Sequence, residues 1–197
     1  CEKKSWTDIA CMLVESGSMD PNSAYTKAKG DEISVLIGAS IHGRLNVIES
    51  LIQVGADVDK AANDGTTALI VASKHGHAAI VEALLQAGAD VDKAANEGST
   101  ALMWASQNGH AAIAEILLNA GADIDKAADD GATALLWASQ KGHAAIVEAL
   151  IQAGADIDKA TDDNSTALIW ASGQGHGASV DALIQAGADI DKANNDG

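Results

Sequence analysis

Apolar positions along this chain recur in a fixed grammar of polar turn, short apolar segment, tight turn and longer apolar segment. The stretch from Asp59 shows it clearly. Asn63-Asp64-Gly65 is a turn signal. Thr67 can accept a hydrogen bond from a free backbone N–H and so start a helix, predicted from Ala68 to Lys74. Gly76 can end that helix in a left-handed conformation. A second helix is predicted from about His77 to just before Gly88, with Ile80, Val81, Leu84 and Leu85 along one apolar stripe. One such hairpin cannot hide its stripe, so neighbouring copies must cover it.

The copies are present. The unit DKAANDGTTALIVASKHGHAAIVEALLQAGADV, residues 59–91, recurs with a period of 33 residues at 92–124, 125–157 and 158–190. Gly65, Gly98 and Gly131 mark the first turn, and Asn164 interrupts that column. Gly76, Gly109, Gly142 and Gly175 mark the second turn, and Gly88, Gly121, Gly154 and Gly187 the third. Residues 26–58 align as a diverged unit through Ala39, Gly43 and Gly55, with Glu32 in place of the turn glycine. Residues 1–25 hold half a unit, matched by Ile9, Leu13 and Gly17, followed by an insertion around Pro21. Residues 191–197 open a further unit and stop at its turn glycine. With no initiator methionine and a broken unit at the end, the expectation is a piece of a longer protein.

The unit resembles an ankyrin repeat. The period and the pattern T-P-L-H-x-A are known signatures of that family. The matching strings are Thr67 to Ala72, Thr100 to Ala105, Thr133 to Ala138 and Thr166 to Ala171, each followed by Gly-His and later by Gly-Ala-Asp. Two departures are systematic. Ala68, Ala101, Ala134 and Ala167 replace the proline, and Ile70, Met103, Leu136 and Ile169 replace the histidine, so any hydrogen bonds drawn from that histidine are missing. The resemblance implies an all-α ankyrin-repeat solenoid of stacked antiparallel helix pairs with β-turn tips, and no sheet beyond the paired tips. It also implies a scaffold or adaptor that binds a partner protein through a concave face made of turn tips and first helices. Carried over column by column, the contact positions are Asp64, Thr66, Lys74 and His75, then Glu97, Ser99, Gln107 and Asn108. They continue with Asp130, Ala132, Gln140 and Lys141, and with Asp163, Ser165 and Gln174. A structural subunit or spacer in a large assembly, and the non-catalytic arm of a longer protein, are the alternative readings.

Composition narrows the partner. The chain carries 12 lysines and arginines against 28 aspartates and glutamates, a formal net charge of -16, which argues against a nucleic-acid or anionic-membrane partner and for a basic or polar protein surface. No apolar run reaches the roughly 18 residues of a membrane helix, and no signal peptide opens the chain. Cys1 and Cys11 lie outside the regular units, so neither a disulfide framework nor a zinc motif is present, and a soluble, intracellular protein is expected. Hydrophobic residues make up 47%, much of it alanine, and phenylalanine is absent, so small residues must dominate the packing.

Candidate chemistry yields to bland readings. His77, His110, His143 and His176 recur once per repeat. Stacked helices lie roughly 8 to 10 Å apart while zinc needs nitrogens about 2 Å away, so neighbouring copies cannot share one ion. The family reading has this histidine start the second helix and bond to nearby backbone, and the H-x-H of His75 and His77 lacks a third ligand. Asp90-x-Asp92 begins like a calcium loop, but Ala94, Ala95 and Ala101 stand where ligand, glycine and glutamate are needed. Gly173, Gly175 and Ala178 spell a nucleotide fingerprint after a helix, not a strand. Ser73 with His77 recurs without an acid partner or oxyanion donor. The unrepeated Cys11, Glu15, Asp20 and Tyr25 form no recognised triad. No catalytic residue, metal or cofactor is therefore expected. The tryptophans differ. Counting 100 degrees per residue from Leu135, Ala138 and Ser139 fall within about 60 degrees of it and Trp137 about 200 degrees away. Trp104, Trp137 and Trp170 share one column, expected to face the concave side or a neighbouring first helix, where they serve either packing or recognition.

Overall fold

Four threonines and a serine start the first helix of each repeat. Ser34 Oγ accepts from the N–H of Ile37 at 3.2 Å, and Thr67, Thr100, Thr133 and Thr166 accept from Ile70, Met103, Leu136 and Ile169 at 3.3 to 3.4 Å. Each cap satisfies one of the donors a helix start leaves open. The computed structural model describes residues 20, 22, 24–26 and 32–195. Cys1, Trp6, Cys11, Glu15, Pro21 and the half repeat marked by Ile9, Leu13 and Gly17 lie outside the described residues.

The described residues contain ten helices, arranged as five pairs. In order they are α1 (Val35–Ile41) with α2 (Leu45–Gln53), α3 (Ala68–His75) with α4 (Ala78–Gln86), and α5 (Ala101–Gln107) with α6 (Ala111–Asn119). Then come α7 (Ala134–Lys141) with α8 (Ala144–Gln152) and α9 (Ala167–Gly173) with α10 (Gly177–Gln185). Gly76 ends α3 at φ 80 in the left-handed region, as the sequence predicts. A short hairpin pairs β1 (Ala24–Thr26) with β2 (Glu32–Ser34), Tyr25 opposite Ile33. It occupies the turn tip of the diverged repeat, since Ser34 stands 33 residues before Thr67.

The chain divides into two compact units, Cys1–Asn96 and Glu97–Gly197. In the first, α1 packs on α3 and α2 on α4. In the second, α7 packs between α5 and α9, and α8 between α6 and α10. Repetition thus covers the apolar stripes: Leu51, Leu84, Leu117, Leu150 and Leu183 occupy one column and are 0 to 1% exposed. Alanines make the close approach possible, with Ala39, Ala72, Ala105, Ala138 and Ala171 all at 0%. Where the family histidine is replaced, Ile70, Met103 and Leu136 join this core.

Next to that alanine column runs a serine. Ser40 Oγ donates to the carbonyl of Leu36 at 2.9 Å. Ser73, Ser106 and Ser139 are fully buried, and their hydroxyls meet no hydrogen-bond partner among the described residues. A buried hydroxyl left in that state costs about 1–3 kcal/mol. Ser139→Ala, which keeps the size and removes the hydroxyl, is therefore expected to raise the midpoint of thermal unfolding; a lowered midpoint would refute this account of the column.

Carboxylates tie successive repeats together. Asp90, Asp123, Asp156 and Asp189 each accept at Oδ1 from the backbone N–H two residues on, at 3.0 to 3.1 Å. A second aspartate reaches across. Asp59 accepts from the N–H of Asp90, Asp125 from that of Asp156, and Asp158 from that of Asp189, at 3.0 to 3.2 Å. Lys159 and Lys192 Nζ then donate to the carbonyls of Asp125 and Asp158 at 2.6 and 2.7 Å. The acidic turns that begin like calcium loops thus use their carboxylates to bind backbone N–H groups.

Candidate functional site

The turn tips, the first helices and the residues that cap their C-terminal ends carry the predicted contact positions, Asn108 and Gln174 being such caps. Three of the tips are tight turns closed by their aspartate: Asp64, Asp130 and Asp163 accept from the N–H of Thr66, Ala132 and Ser165 at 2.9, 2.9 and 3.2 Å. This is the local bonding that makes aspartate a turn residue. Thr161 Oγ1 also donates to Asp163, and this bond, followed by that from Ser165, holds the Asp163 carboxyl below its usual range. That charge persists in more acidic solution than an ordinary aspartate's.

Adjacent tips are bonded through their backbones. In the second unit the N–H groups of Asp129, Asp162 and Asn195 donate to the carbonyls of Glu97, Asp130 and Asp163 at 3.0 to 3.2 Å. The spacing leaves no room for a side chain at Gly98, which has φ 76 and whose Cβ would lie 2.9 Å from Ala128 Cα. Asn164 takes the same column at φ 62, a conformation that asparagine tolerates better than most residues, and its amide donates to Asn195 Oδ1 at 2.8 Å. The sequence interruption is thus conformationally conservative.

The predicted residues fall into three groups. Asp64, Lys74 and His75 in the first unit, and Glu97, Asn108, Asp130, Lys141, Asp163 and Gln174 in the second, are exposed. Thr66, Ser99, Gln107, Gln140 and the three tryptophans Trp104, Trp137 and Trp170 are partly covered. Ser165 and Ala132 are only 2% and 5% exposed and lie beneath the surface. Several polar side chains are also engaged locally, since Asn108 Nδ2 donates to the Trp104 carbonyl at 2.8 Å and His75 Nδ1 pairs with the Val71 carbonyl at 2.9 Å.

Five of these residues meet in one place. Glu97, Ser99, Trp104, Gln107 and Trp137 line a pocket of about 150 Å³ on the second unit. Met103 completes it. Sequence reasoning missed Met103, although it is the one thioether in the column where the family histidine is replaced. Trp170, Gln140 and Asp130 belong to the same columns but do not line this pocket.

Two of the repeated histidines, His143 and His176, reach the backbone of the preceding repeat. His143 and His176 sit at the starts of α8 and α10, and their Nε2 atoms lie 3.2 and 3.0 Å from the carbonyls of Gln107 and Gln140, one repeat earlier. His75 and His77 lie with rings parallel, centroids 6.1 Å apart. Among the described residues no group of three or more His, Cys, Asp or Glu side chains is placed to hold a metal ion.

Comparison with protein families settles the architecture. The family model for ankyrin repeats (3 copies) matches residues 35–128 and 120–194. The chain belongs to the ankyrin-repeat family. Ankyrin repeats generally mediate protein–protein interaction and are typically non-catalytic binding modules. A search of curated proteins gives no match. No helix among the described residues is long and apolar enough to cross a membrane.

Proposed function

We propose that this ankyrin-repeat chain is an interaction scaffold that binds a partner protein with a basic or polar contact surface, through the turn tips and first helices. The observation that carries this reading is the row of partly exposed tryptophans on consecutive first helices of the second unit, beside the exposed carboxylates of Glu97, Asp130 and Asp163. Tryptophan is a favoured interface anchor, and a charged rim steers approach. The net charge of -16 sets the sign of the partner. A scaffold of this kind needs no cofactor.

The test is selection of displayed peptides on the purified chain, followed by binding kinetics of those enriched. Basic peptides are expected. The triple replacement of Glu97, Asp130 and Asp163 by serine should slow association and flatten its salt dependence, because exposed charges act mainly on encounter. Serine can keep a weaker form of the tip turn, so the fold should survive. Enrichment of acidic or wholly apolar peptides, or unchanged kinetics in the triple variant, would overturn the proposal.

A further inference from the structure

The pocket between Trp104 and Trp137 has a size and a chemistry that define its occupant more narrowly than the surrounding surface does. Its volume, about 150 Å³, is below the roughly 300–1,000 Å³ of sites that take whole small molecules. It suits one inserted side chain. The walls supply two indoles and the Met103 thioether, and the polar members are a carboxylate, a hydroxyl and a primary amide, from Glu97, Ser99 and Gln107.

Each class of side chain can be weighed against that set. An anionic side chain would be opposed by Glu97 in a chain of net charge -16. An aliphatic one would cover the indoles but take the three polar groups out of water without replacing their hydrogen bonds. A cation satisfies both parts, because indole faces attract positive charge and the carboxylate, hydroxyl and amide oxygens can accept from it. Between the two cations, the planar guanidinium stacks on aromatic faces, is more weakly hydrated than an ammonium and carries five donors in a fixed fork. Three acceptors of different origin around two aromatic walls match that fork better than a compact ammonium.

We infer that the pocket lined by Glu97, Trp104 and Trp137 is a receptor for one arginine side chain of the partner protein. The inference rests on the protein-binding function proposed above and names the partner's key group. Arginine enters with its guanidinium against the indoles and donates to Glu97, Ser99 and Gln107, while the flanking peptide lies along the tips.

The experiment uses the full chain and three short peptides of glycine and serine, with arginine, lysine or the neutral isostere citrulline at the centre. Indole N–H signals, assigned through single Trp→Phe variants, report binding by nuclear magnetic resonance. The arginine peptide should shift the Trp104 and Trp137 signals saturably and leave that of Trp170 in place. Lysine should bind several-fold more weakly, and citrulline should give no saturable shift. Glu97→Gln should weaken the arginine peptide about fivefold, in line with an exposed charged pair, and Glu115→Gln on α6 should leave it unchanged. Equal binding of citrulline or lysine, a response confined to Trp170, or no response at all would overturn the inference. Failure here is separable from failure of the wider reading. A selected peptide that loses affinity on Trp137→Ala yet tolerates exchange of its arginines for citrulline would remove the arginine site and leave the scaffold function standing.

Discussion

Leu150→Ala is expected to cost about 2–5 kcal/mol of folding stability. Leu150 is 0% exposed on α8, which packs against α7 and lies between α6 and α10. Truncation removes its transfer energy and leaves a cavity that few neighbours can fill. The chain has no phenylalanine, and the alanines of the adjacent column carry no side chain long enough to swing in. Because each repeat is stable only against its neighbours, damage at α8 also weakens the covers it provides for α6 and α10. Urea denaturation followed by far-ultraviolet circular dichroism measures the loss. Ile151→Ala is the control, since Ile151 is partly exposed and should cost clearly less. A loss at Leu150 no larger than that at Ile151 would contradict the packing described here.

The legibility of this chain in its sequence follows from repetition. Every residue that recurs at a spacing of 33 has a local duty that its type announces: threonine as cap, glycine in the left-handed region, leucine on the stripe. Those duties are short-range, so the sequence reports them directly. Pairings between repeats are less visible. Asp59 and Asp90 stand 31 residues apart, and nothing in either loop alone says that a carboxylate of one receives the backbone N–H of the other. In the sequence the tip aspartates read as contact positions, while the structure also uses one oxygen of Asp64, Asp130 and Asp163 to close the turn. At the candidate site, the column pattern named Trp104, Trp137, Glu97, Ser99 and Gln107 separately. Their convergence with Met103 on one pocket depends on how neighbouring first helices pack, which a one-dimensional period does not encode.

Trp137→Ala is expected to speed dissociation of a bound peptide or partner about 30-fold or more, the equivalent of about 2 kcal/mol, as at an interface hot spot. The side chain is partly exposed on α7, between α5 and α9, and forms one wall of the pocket with Trp104. Its column also has a packing duty. Val71 fills the same position in the first unit and is 6% exposed, so a β-branched aliphatic side chain is enough to close the gap there. Trp137→Val therefore separates the two roles. Valine should restore most of the stability that alanine loses, because it supplies the volume used at Val71. It should not restore residence time, because it has no indole face to offer. Thermal unfolding and binding kinetics measured on wild type and both variants decide the matter. If dissociation is unaltered in the alanine variant while its melting temperature falls sharply, and valine recovers the melting temperature, the tryptophan row belongs to the packing of the repeats and not to the recognition surface.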